Sequence, residues 1–182
     1  ASYNKIFFVD ITGRQDWNSV LATPNRTTNA GFFYPSVNTS VVLSNLLRMP
    51  RKITYAKLRF SASSVGSGGT SPYLTAYNYE SAGSFFAGGL QAPGLLANPN
   101  LRPLRTTSYE LGAVVKMFDS RLSVDLALYA GNTKDQHLRR ILDRSSGFTQ
   151  VLINAGRVAN TGVELAVSAT PVKKKNGLTW TS

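Results

Sequence analysis

The chain has 182 residues, a net charge of +11, no cysteine and 16% charged residues, well under the roughly 25% of soluble domains. Without cysteine there is no disulfide framework, no thiolate metal site and no Cys nucleophile. Without a run of about 18 apolar residues there is no transmembrane helix. Nine Phe, eight Tyr and two Trp accompany a hydrophobic content of 42%. A chain poor in charge but not greasy suits a β-barrel, whose two faces alternate and cancel in any average. The basic residues are scattered. The densest groups are Arg48, Arg51 and Lys52, then Arg139 and Arg140, then Lys173, Lys174 and Lys175. Two of these fall in expected short turns, so solvated turns explain them better than a nucleic-acid stripe.

Period-2 alternation recurs along the chain and period-3.6 patterning does not. Ala1-Ser2-Tyr3-Asn4-Lys5 shows no signal-peptide pattern, so if the protein is exported its signal is expected upstream. Residues 3 to 12 set Phe7, Val9 and Ile11 against Asp10 and Thr12. Residues 32 to 43 set Val37, Val41 and Leu43 against Ser36, Asn38 and Ser40. From Ile53 to Ser64, Ala56, Leu58, Phe60 and Ala62 face one way and Lys57, Arg59, Ser61 and Ser63 the other. From Thr107 to Phe118 the apolar row is Tyr109, Leu111, Ala113, Val115 and Met117. From Leu122 it is Val124, Leu126, Leu128 and Ala130, opposite Ser123, Asp125 and Tyr129. Val163, Leu165, Val167 and Ala169 alternate with Glu164, Ser168 and Thr170, and a seventh strand begins near Leu178.

One hairpin is fixed by arithmetic. If Asp119-Ser120 is a two-residue turn, Met117 meets Leu122, Val115 meets Val124, Ala113 meets Leu126 and Leu111 meets Leu128. On the other face Lys116 meets Ser123 and lies diagonal to Asp125. A one-residue slip destroys the match. The connections alternate: long loops at about 13–31, 65–105 and 132–158, short ones at about 44–52, 119–120 and 172–177. That is the habit of outer-membrane barrels. A soluble β-sandwich also alternates, but its strands are shorter and its loops need not alternate in length.

Catalytic chemistry is hard to place. His137, the one histidine, is expected in a loop beside Leu138, Arg139 and Arg140. A zinc site would need clustered Asp or Glu, and the nine acids are dispersed. The glycines at 66, 68 and 69 lack the Gly-Lys-Ser/Thr ending of a phosphate loop. Neither enzyme activity nor a cofactor is expected. Polar residues of the barrel strands, Lys57, Arg59, Glu110, Asp125 and Glu164, are expected to face the lumen. The long loops are rich in aromatics. Trp17, Tyr77, Tyr79, Phe85 and Phe86 are candidates for stacking on a substrate. An interfacial girdle is the competing use, expected for Phe32, Phe33 and Tyr73. For Tyr79, Phe85 and Phe86 both uses stay open.

The stretch Asn98-Pro99-Asn100-Leu101-Arg102-Pro103, followed by Thr106-Thr107-Ser108-Tyr109-Glu110-Leu111-Gly112, resembles the barrel signature of TonB-dependent receptors. So does Asn154-Ala155-Gly156 with Asn160-Thr161-Gly162-Val163-Glu164-Leu165. Asp10 to Trp17, Phe33-Tyr34-Pro35-Ser36-Val37, Ala56-Lys57-Leu58-Arg59 and Thr133-Lys134-Asp135-Gln136 resemble the SusC/RagA branch. Leu104-Arg105 departs from the acid usual after the second proline. The resemblance implies an all-β antiparallel transmembrane barrel of about 22 strands around a plug. Residues 1–182 would be a partial C-terminal barrel domain, without the plug or the remaining strands. It implies import of a glycan or oligopeptide across the outer membrane. The implied partners are a SusD-like surface lipoprotein, outer-membrane lipid and TonB, reached through a region outside this chain. A small self-contained anchor or adhesin barrel, and a secreted carbohydrate-binding β-sandwich, are the alternatives.

Overall fold

The computed structural model describes the chain apart from residues 24, 28–29, 70, 84–85, 174–178 and 181–182, and describes 172–173 and 179–180 by backbone alone. One eight-stranded sheet dominates it. Six strands are long: β2 (Phe7–Trp17), β3 (Gly31–Val42), β4 (Ile53–Ser67), β8 (Leu104–Met117), β9 (Leu122–Ile141) and β10 (Gln150–Ala169). They follow one another as an antiparallel meander. The short β1 (Ser2–Tyr3) pairs with β2 at one edge, and β7 (Leu95–Leu96) lies parallel to β10 at the other. Two small ladders stand apart. One joins β5 (Glu80–Ser81) to β6 (Leu90–Gln91), the other β11 (Val172–Lys173) to β12 (Thr179–Trp180). Most of the strand expected from Leu178 lies outside the described residues.

The register of the second hairpin is the one the pattern requires. Met117 pairs with Leu122, Val115 with Val124, Ala113 with Leu126 and Leu111 with Leu128. Asp119 and Ser120 both take positive φ, at 55° and 63°, and the Arg121 N–H donates to the Phe118 carbonyl at 3.1 Å. Positive φ at both central residues gives the turn the twist of its strands.

Continuing this register across the sheet aligns the faces. Val41, Leu58, Ala113, Leu126 and Leu165 form one transverse row, and Thr39, Phe60, Leu111, Leu128 and Val163 the next. Side chains of one face alternate with the other along each strand, so these rows share a face. They are largely exposed: Leu111 by 50%, Val163 by 67%. Among the described residues no second sheet covers them, as a sandwich would require. The buried apolar cluster sits elsewhere, at the long-loop end, where Leu21, Leu101 and Leu152 pack with Phe32, Leu74 and Leu95.

The loops are shorter than the sequence pattern suggests. Expected loop 132–158 is mostly strand, since β9 runs to Ile141 and β10 starts at Gln150. His137 therefore sits on a strand, not in a loop. Its Nε2 donates to the Arg102 carbonyl at 2.7 Å. Loop 13–31 also shrinks, because β2 continues to Trp17.

Candidate functional site

The face opposite the apolar rows carries the charge. Arg59 on β4 reaches across two neighbouring strands. Its Nε lies 3.2 Å from Glu110 Oε1 on β8, and its Nη1 lies 3.0 Å from Asp125 Oδ2 on β9. The reach depends on Gly112, which pairs with Arg59. A Cβ there would run into the Arg59 side chain. Gly162 has the same role in the neighbouring hairpin. It pairs with Tyr129, whose ring occupies the space a Cβ would need. A large side chain laid over a bare glycine on the next strand fixes register and curvature. Asp125 keeps one oxygen, Oδ1, buried and without a protein partner, a free acceptor on this face.

Lys57, Arg59, Ser61, Glu110, Asp10 and Asn38 line a shallow hollow of about 350 Å³ on this face. Glu164 pairs with Ala127 and stands further along, exposed. Lys116 does not engage Asp125 on its diagonal. Its ammonium sits 5.8 Å from the centre of the Tyr55 ring.

Above the apolar rows, three residues cluster at the end of β2. Asp16 accepts from the Tyr34 hydroxyl at 2.7 Å and from Arg14 Nε at 2.6 Å. The Tyr34 hydrogen bond first, then Arg14, hold the Asp16 carboxyl below the usual carboxylate range.

At the long-loop end, three of the stretches that carry the family resemblance meet. Asn98 Oδ1 accepts the Asn100 N–H at 2.9 Å, a side-chain turn that delivers Leu101 into the buried cluster. The next peptide is gripped by Asn154 of β10. Asn154 Oδ1 accepts the Arg102 N–H at 2.8 Å and Nδ2 donates to the Arg102 carbonyl at 2.9 Å. The same amide donates to the Asp135 carbonyl of β9 at 2.9 Å. Opposite, Gly156 takes φ of +81° and Asp135 of +57°, so the paired strands kink together. Further ties hold the loops down: Thr75 Oγ1 donates to the Ala22 carbonyl at 2.5 Å, and Arg26 to the Pro99 carbonyl and Asn100 Oδ1 at 3.0 and 2.8 Å.

The aromatic candidates divide. Tyr77 meets Tyr79 and Phe148 edge to face, at 5.8 and 5.9 Å between ring centres. Tyr79 also lines a loop hollow of about 400 Å³ with Tyr73, Asn78, Glu80 and Arg139. Phe86 is exposed on the small β5–β6 hairpin. Phe85 lies outside the described residues. Trp17 is exposed at the tip of β2, opposite Gly31, in the row of Ile11 and not with the loop tyrosines. Phe32, expected in the girdle, instead packs on the buried cluster. Tyr73 stands in the loop hollow. The sequence reading missed Phe148 and Arg139 at this end, because it could not fold 68–103 back onto β9 and β10. Among the described residues no group of three His, Asp or Glu could hold a metal.

Residues 3–182 match the family model described as TonB dependent receptor-like, beta-barrel. Two TonB-dependent receptors of Formosa agariphila are 29% and 27% identical to 100% and 99% of this chain. A structure titled the RagAB peptide transporter superposes with a TM-score of 0.80 at 21% identity, over 95% of this chain. The RagAB peptide importer in the "open-open" state does so with a TM-score of 0.82 over 96%. The chain spans 18% of each Formosa protein and 19% of each RagAB chain. The likeness to the RagAB structures is one of fold.

Proposed function

This chain belongs to the TonB-dependent receptor-like β-barrel family, an outer-membrane family, and on that premise we propose that it forms one wall of a SusC/RagA-type importer barrel. The observation that carries this is the division of one sheet into two faces. Continuous apolar rows suit lipid, and Arg59 bridging Glu110 and Asp125 suits a wet, polar lumen. The sheet edges support a larger closure. β1 and β7 each pair only two residues of the edge strands, and unpaired backbone groups in lipid cost several kcal/mol each.

The cargo is a large nutrient, a glycan or an oligopeptide, and import is driven through TonB by a region of the protein outside this chain. The peptide importers among the structural neighbours favour the oligopeptide. A SusD-like surface lipoprotein would cover the long-loop end. There Tyr77, Tyr79 and Phe148 offer ring edges and hydroxyls, and Phe86 adds an exposed ring. Lys57, Arg59, Glu110, Asp125 and Glu164 would line the lumen. The work is capture and passage, not bond chemistry.

The test is uptake of labelled oligopeptide and oligosaccharide pools by cells carrying the full-length protein. Deleting the gene or dissipating the proton gradient should abolish uptake of one pool. Tyr77→Ala with Tyr79→Ala should lower it several-fold at unchanged protein level. Uptake indifferent to deletion would refute the proposal.

A further inference from the structure

Three cations stand side by side on the face of the apolar rows, just beyond their upper end. Arg105 of β8 pairs with Lys134 of β9, and Lys134 pairs with Arg157 of β10. They continue the alternation of Tyr109, Ala130 and Thr161 on the same strands, and all three are exposed. Strands lie about 4.8 Å apart, so three positive charges share a strip roughly 10 Å wide. Like charges directly opposite one another are destabilising.

Among the described residues no acid forms an ion pair with them, although Asp135 lines a hollow with Arg105. Among the described residues the ion pairs are those of the N-terminus with Asp10, Arg14 with Asp16, and Arg59 with Glu110 and Asp125. Arg105 donates to the Phe33 carbonyl at 3.3 Å and Arg157 to Asn132 Oδ1 at 2.9 Å. Both acceptors are neutral, so they orient the guanidiniums without cancelling charge.

The height of the strip identifies its occupant. Tyr109, half exposed at the top of the apolar rows, is the residue type that marks a membrane interface. Arg105 is four residues further on, about 13 Å along the strand, or about 10 Å vertically at the usual barrel tilt. That is a few ångströms above the headgroup layer, within reach of long basic side chains that bend toward the interface.

We propose that Arg105, Lys134 and Arg157 bind the phosphate-bearing headgroup of an outer-leaflet lipid, whose acyl chains lie along Tyr109, Leu111, Leu128 and Val163. Phosphate is the fitting anion because it presents several oxygens to guanidinium forks at once, and the apolar rows below supply the second half of an amphiphile site. The inference rests on the outer-membrane reading above.

The experiment uses the full-length protein in neutral detergent, with diphosphoryl lipid A, its dephosphorylated form and inorganic phosphate as probes. Wild type should bind the diphosphoryl lipid at least tenfold more tightly than the dephosphorylated one. Replacing all three cations by Gln should remove that preference, and Lys134→Gln alone should weaken it several-fold. The Lys134 side chain makes no hydrogen bond or ion pair among the described residues, so its replacement should leave the fold intact if the triple variant fails. Arg121→Gln, exposed in the short turn at the far end of the same strands, should change nothing. Equal binding by wild type and Lys134→Gln, or equal loss in Arg121→Gln, overturns the site. Full competition by millimolar inorganic phosphate also overturns it, as a plain anion site. A protein absent from the outer membrane sinks the functional reading. A protein that inserts normally yet ignores lipid phosphate sinks only this inference.

Discussion

Placing Leu58→Arg, Ala62→Arg and Ser61→Arg in the full-length protein separates depth, face and charge within one strand. Leu58 stands between Val41 and Ala113, in the middle of the row formed by Ala56, Leu58, Phe60 and Ala62. A cation on the lipid face costs about 2–4 kcal/mol at the midplane and about 0–1 near the interface. At about 1.4 kcal/mol per tenfold, Leu58→Arg should shift the folding equilibrium by about 30- to 700-fold. Ala62 pairs with Tyr109 at the rim, so Ala62→Arg should shift it by no more than about fivefold. Ser61 lies between Asn38 and Glu110 on the opposite face. There an added cation meets an acid and should leave the equilibrium nearly unchanged. The assay is urea-titrated folding into vesicles, read as the gel band that shifts on heating. Equal losses for Leu58→Arg and Ser61→Arg would refute the assignment of the two faces.

Gly112→Val should evict Arg59 from Glu110 and Asp125, and Gly162→Val should displace the Tyr129 ring. Both should lower the urea midpoint. Gly131→Ala should not, because a Cβ there would find nothing nearer than 3.8 Å. Asn154→Ala removes three hydrogen bonds to backbone and should cost about 1–3 kcal/mol, seen as faster proteolytic nicking within 68–103. Unchanged nicking would mean the loop is held by the leucine cluster alone. Asp143 accepts the Ser145 N–H at 2.8 Å, and this contact holds its carboxyl below the ordinary carboxylate range. The folded pKa is thus lower than the unfolded one, so the contact stabilises loop 142–149 above the unfolded value. That stability is lost as pH falls through the lowered folded value. Amide exchange in 142–149 should therefore accelerate in that acidic window, and Asp143→Asn should remove the acceleration.

The lower half of the sheet could be read from sequence because its two faces meet different media. Val124, Leu126 and Leu128 against Ser123, Asp125 and Tyr129 is a pattern that lipid on one side enforces. The same strand continues as Asn132, Lys134 and Gln136 against Thr133, Asp135 and His137. There both faces are polar, the contrast vanishes, and a strand reads as a loop. The bridge from Arg59 to Glu110 and Asp125 was hidden for another reason. Each residue could be assigned to a face, but the pairing of β4 with β8 spans a 36-residue loop, 68–103, and its register cannot be counted across so long a gap. The meeting of Asn154 with Arg102 was hidden likewise, although the residues involved stood out by their resemblance.

The unequal surroundings of β9 and β10 also bear on how such a protein diverges. Their lower halves are constrained twice, by lipid outside and, inside, by the ion pair of Asp125 on β9 and the Tyr129 ring laid over Gly162 of β10. Their upper halves are held by main-chain ladders, by Leu152 in the buried cluster and by the His137 and Asn154 side chains, which grip peptide groups of the loop. At the other upper positions substitution meets little resistance from folding. The upper wall can therefore take on different side chains at little cost to the inserted portion.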